Sequence, residues 1–170
     1  EGFSNSCGGA DCPARWSIGG SVLPYRSQVC GGDVSIGMVD TGINDAHATF
    51  NGARLEVSRL APEEFDPSRA VHGTAIASLL VGDPNSRSPG LVPGARLVAV
   101  DAFYRQGGDE RADVFTLINA LSFLAEAEVD VINLSLAGPQ NTSLAGMIEW
   151  LITEEDIVVV AAVGNAGPRA

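Results

Sequence analysis

At 170 residues, 45% hydrophobic and 18% charged, the chain is long enough to bury the core of one domain and too apolar to be disordered. Ten basic residues, all Arg, against 21 acids leave a formal charge of -11, which argues against nucleic acid as a partner because no basic face is available to neutralise phosphates. No run of about 18 apolar residues occurs, so no segment reads as a membrane-spanning helix.

Residues 1–33 are dense in breakers (Gly8, Gly9, Pro13, Gly19, Gly20, Pro24, Gly31, Gly32) and read as an irregular arm laid over a domain. All three cysteines, Cys7, Cys12 and Cys30, fall in this arm. One disulfide with one thiol left over is the favoured reading, in an oxidising compartment, secreted or periplasmic. Three Cys without a nearby His make a poor zinc set. A chain that opens on Glu1 without a signal-peptide pattern reads as processed or excised.

From Val34 the texture changes. Short β-branched apolar runs at 34–39, 96–100, 129–134 and 157–163 read as parallel strands covered on both faces, and 53–60 as a weaker one. Helical periods run from His72 to about Val81, over 112–127 (Val114, Leu117, Ile118, Leu121, Leu124) and over 142–153 (Leu144, Met147, Ile148, Leu151, Ile152). The stretch GDPNSRSPGLVPG, 82–94, reads as a surface loop. Strands alternating with helices predict an α/β domain, a doubly wound parallel sheet flanked by helices, over 34–170.

The first apolar run ends in Asp40, Thr41 and Gly42. A pair of Asp residues sharing a proton needs two such motifs in all-β lobes, whereas this motif occurs once in an alternating pattern. Phosphate-binding glycine fingerprints are absent after every strand. The remaining chemistry is a carboxylate that orients a histidine, and His72 opens a predicted helix with Gly73 beside it. His47 reads as structural, and Trp16 and Trp150 as packing residues. Asp109, Glu110 and Asp113 read as a solvated loop, with a preference for basic substrate residues as the functional alternative.

Four motifs in order resemble the subtilisin-like serine proteases. IGMVDTGIND (36–45) resembles the Asp motif of that family and HGTAIAS (72–78) its His motif. VDVINLSLAGP (129–139) is similar to the strand lining the substrate pocket, and IVVVAAVGNAGP (157–168) to the strand leading to the oxyanion-hole Asn. The resemblance implies an endopeptidase with Asp40 orienting, His72 as general base then acid, and Asn165 donating to the tetrahedral oxyanion. It implies that Ser135, Leu136, Ala137, Gly138 and Gly164 border the peptide or protein substrate, the first four as an extended edge that pairs with its backbone.

The family's nucleophile lies in a Gly-Thr-Ser motif downstream of the Asn, and no Ser in 1–170 stands in that context. The expectation is therefore a subtilisin-like domain incomplete at its C-terminal side. Its serine, and the cover for an apolar edge at 157–163, would come from a segment beyond residue 170, cleaved or separate. The alternative is a degenerate, non-catalytic segment that acts as a binding module. No organic cofactor is implied. Thr49, standing near a position where the family often carries a calcium-binding acid, counts against structural calcium.

Overall fold

Apolar β-branched runs flanked by helical periods fold here into one parallel sheet, in a computed structural model that describes residues 30–86 and 89–164. In chain order the elements are β1 (Ser35–Asp40), a 3-10 turn (Ala48–Phe50), β2 (Arg54–Arg59), β3 (Asp66–Pro67), α1 (Val71–Val81), β4 (Arg96–Asp101), β5 (Tyr104–Gln106), β6 (Asp109–Arg111), α2 (Val114–Glu126), β7 (Val131–Leu134), α3 (Thr142–Thr153) and β8 (Val158–Ala161). The sheet runs β2-β4-β1-β7-β8, every pairing parallel.

Successive strand residues face opposite sides. Ile36, Met38, Leu97 and Ala99 pack with Phe50, Ala77 and Val81, so α1 covers one face. Val39, Val98 and Val100 pack with Leu121, Leu124 and Leu151, so α2 and α3 cover the other. Leu124, Ile132 and Leu151 are completely buried, and each such burial contributes about 1.5–3 kcal/mol. Gly37 interrupts β1 for a steric reason: a Cβ there would lie 2.9 Å from a methyl of Leu124, so its absence lets α2 settle onto the sheet.

The two edges of the sheet differ. β2 carries Arg54, Glu56 and Arg59, with Glu56 paired to Arg96 at 2.8 Å. Arg96 donates to the Glu56 carboxylate, and this holds that carboxyl below its ordinary range. β8 is Val-Val-Val-Ala, with Val158 and Val160 58% and 52% exposed.

The loop expected at 106–113 is ordered differently. β5 and β6 form a hairpin across Gly107 and Gly108, whose φ of +61° and +94° are the values a two-residue hairpin turn demands. β3 pairs antiparallel with β5, and Phe65 stacks on Tyr104 with centroids 4.3 Å apart. Asp113 caps α2, accepting from the Thr116 N–H at 2.9 Å and the Thr116 hydroxyl at 2.7 Å. The weak strand at 53–60 is a full six-residue strand. Trp150, expected to pack, is 40% exposed on α3. Cys7, Cys12, Trp16 and Asn165 lie outside the described residues; Cys30 is half-buried with no disulfide partner among the described residues, and its carbonyl accepts from Gly94 N–H. No helix among the described residues is long and apolar enough to cross a membrane.

Candidate active site

Asp40 stands at the C-terminal end of β1, 2% exposed. A carboxylate there is costly unless it accepts hydrogen bonds. Its Oδ1 accepts from the Thr41 N–H at 2.7 Å and lies 2.7 Å from His72 Nδ1. An ionised carboxylate can only accept, so Nδ1 carries the proton and Nε2 is left as the acceptor of the ring. The ring is 53% exposed while the Asp40 side chain is 3% exposed, so the pair reaches from the core to the surface. Asp40 Oδ2 is buried with no partner among the described residues.

The first turn of α1 is fastened to the turn that follows β1. Gly73 N–H donates to the Thr41 hydroxyl at 2.9 Å, and Asn44 N–H donates to the Thr74 hydroxyl at 2.8 Å. The approach is close enough to require glycine: a Cβ on Gly73 would lie 2.4 Å from the Thr41 carbonyl oxygen and 2.6 Å from that of Gly42. His72 follows as the second residue of α1, facing Asp40. Thr41 and Thr74 belong to the motifs quoted above, but their tethering role becomes visible only when the two segments meet.

Ser135, Leu136, Ala137 and Gly138 leave the sheet after β7. Met38 pairs with Asn133, so Asp40 and Ser135 emerge at the same end on neighbouring strands. Open parallel sheets place ligands outside the carboxyl ends of their strands. Ser135 and Leu136 are half-buried, Ala137 and Gly138 exposed. Asn133 Nδ2 donates to the Ser135 hydroxyl at 2.9 Å. Gly164, φ +78°, adjoins this stretch: a Cβ on it would meet Ala137 Cβ at 3.4 Å. The structure thus brings Gly164 beside 135–138; Asn165, the next residue, lies outside the described residues.

Of the remaining candidates, His47 caps the 3-10 turn, its Nδ1 accepting from Thr49 N–H at 3.2 Å. Glu110 accepts from Arg69 N–H, and Asp109 pairs with Arg111 at 3.2 Å. A cavity of about 380 Å³ between the 44–49 loop and α1 includes His47 and Ser78 but neither Asp40 nor His72. The Asp40–His72 pair lies outside this cavity, at the carboxyl ends of the strands.

A family model described as the subtilase family matches residues 31–170. Over 141 residues the chain is 30% identical to subtilisin E of Bacillus subtilis (strain 168), covering 81% of this chain and 35% of that protein. Over 135 residues it is 29% identical to a thermophilic serine proteinase of Bacillus sp. (strain AK1), covering 78% and 33%. Among solved structures, the protease domain of PatA matches with a TM-score of 0.71 at 27% identity, covering 84% of this chain and 54% of that one. The chain spans about a third of the length of these curated relatives.

Proposed function

This chain belongs to the subtilase family of serine proteases, and we propose that it supplies the Asp and His of an endopeptidase active site whose serine lies outside residues 1–170. The observation that carries the reading is the 2.7 Å contact of Asp40 Oδ1 with His72 Nδ1.

In this reading Nε2 of His72 takes the proton of a serine hydroxyl as its oxygen attacks the peptide carbonyl carbon. Asp40 holds the ring in the Nδ1–H tautomer and stabilises the imidazolium. The tetrahedral oxyanion accepts a hydrogen bond from the Asn165 side chain, a neutral donor aimed at charge that exists only in the transition state. Nε2–H then protonates the leaving amine, and water completes hydrolysis of the acyl-enzyme by the same relay. Residues 135–138 pair with the substrate backbone, and Gly164 borders them. No organic cofactor takes part. A peptide or protein is the substrate, and the C-terminal segment bearing the serine is the structural partner. The exposed valines of β8 support a covering partner of that kind. Export to an oxidising compartment belongs to the same reading, supported by the three cysteines clustered in residues 1–30.

A fluorophosphonate probe on the full-length protein tests this. The expected result is one labelled serine beyond residue 170, with labelling abolished by His72→Ala. A folded protein that takes no label, or labels equally without His72, overturns the reading. It would favour instead a module that binds a partner through the open edge at β8.

A further inference from the structure

A second carboxylate stands next to Asp40. Register pairs Asp40 with Asp101 at the ends of β1 and β4, and Asp101 is 6% exposed. Two buried carboxylates on neighbouring strand ends repel unless one is neutralised. Arg59, at the end of β2, does this, its Nη1 2.7 Å from Asp101 Oδ2. The other oxygen, Oδ1, accepts from the Ser68 hydroxyl at 3.0 Å and from Phe103 N–H at 3.3 Å. Ser68 Oγ in turn accepts from Gly42 N–H at 2.8 Å.

The direction of this chain of bonds is fixed. A carboxylate paired with Arg has no proton to give, so Ser68 donates to Asp101, and its lone pair is left for Gly42 N–H. Each bond polarises the next. The placement matters more than the strength. Ser68 lies four residues before His72, and Gly42 lies two residues after Asp40. One hydroxyl therefore joins the backbone segment that enters α1 to the turn that leaves β1. The Thr41 and Thr74 tethers hold the first turn of α1 from within the helix; Ser68 ties the segment ahead of it to the turn after β1, while Glu110 and the β3–β5 pairing hold that segment toward the hairpin.

We propose that Ser68, locked by the Asp101–Arg59 ion pair, is a positioning residue that sets the separation and orientation of Asp40 and His72. It touches neither side chain of the pair and acts through the Gly42 amide. This deepens the protease reading and rests on it for its effect on rate, but not for its effect on geometry.

The test uses the full-length protein, labelled with ¹⁵N-histidine, as Ser68→Ala and Ser68→Thr variants. Two quantities are read: the low-field resonance of the His72 Nδ1 proton, assigned by its loss in His72→Ala, and peptide hydrolysis. Misplacement by about 1 Å costs about 100-fold in rate, so loss of one tether is expected to lower kcat by about 10-fold with KM within about twofold. The Nδ1 proton should broaden or shift upfield in Ser68→Ala, and Ser68→Thr, which restores the hydroxyl, should recover both signals. A purely structural role would lower the melting temperature and leave the resonance and the kcat-to-KM split unmoved, which overturns the proposal. If the parent protein hydrolyses nothing, the protease reading fails. The resonance then still decides on Ser68: changed in the Ala variant and restored by Thr, the tether stands; unchanged, it falls.

Discussion

Gly73 shows how much of the candidate site depends on a missing atom. A methyl at this position would press 2.4 Å from the Thr41 carbonyl, so Gly73→Ala must push the first turn of α1 away from β1. His72, the preceding residue, moves with it. Because about 1 Å of misplacement costs about 100-fold, the variant is expected to lose about that factor in kcat on a peptide substrate; full activity in the variant would mean that the contact is softer than it looks. Asp40 and His72 were legible in the sequence because a carboxylate ending an apolar strand and a His-Gly opening a helical period are both local patterns. Ser68 and Asp101 were not. Asp101 ends a run that reads as an ordinary strand, and Ser68 sits in a short polar stretch between Pro67 and Arg69. Nothing local marks either one, because the bonds that link them to Gly42, to Arg59 and to each other span 26 to 42 residues of chain.

At the scale of elements, continuous apolar runs and i, i+3, i+4 spacings placed every described strand of the parallel sheet and each of the three described helices within two or three residues of where they stand. The small antiparallel sheet escaped because its strands are short and charged, with Asp109, Glu110 and Arg111 giving no apolar alternation. Gly107-Gly108 was its one available signal. α2 owes its start to Asp113 rather than to its apolar stripe. Burial works to raise the Asp113 carboxyl, but the hydrogen bonds from the Thr116 side chain and N–H, with further backbone N–H groups, outweigh it and hold the carboxyl below its ordinary range. A carboxyl depressed in the folded state stabilises above its unfolded value and loses that contribution as pH falls through the folded one. Asp113→Ala is therefore expected to cost about 1 kcal/mol at neutral pH. In urea titrations of parent and variant, the gap should narrow as the pH drops below the unfolded value of 3.8. A gap independent of pH would show that the cap works as a neutral acceptor.

Across the whole molecule, the parallel architecture was legible from the alternation of elements, whereas the strand order β2-β4-β1-β7-β8 was not, since it records which distant runs pair. That order leaves the sheet with one charged border and one apolar border. Arg54, Glu56 and Arg59 guard β2 against edge-to-edge pairing, while β8 offers Val158 and Val160 with no charge in the strand. Residues 1–170 produced alone are expected to self-associate, and replacing Val158 and Val160 by Lys should return them to monomer in sedimentation velocity. A monomer without those changes would show that the border is protected in some other way.

The bare border has a practical corollary. The Asp40–His72 pair is ordered by β1, α1 and the tethers between them, all on the far side of β7 from the valines. If the serine reading holds, the seam along β8 is a natural place to divide the enzyme in two. Each half would be silent by itself, and hydrolysis would begin only on mixing, which turns turnover into a direct readout of complementation between the pieces.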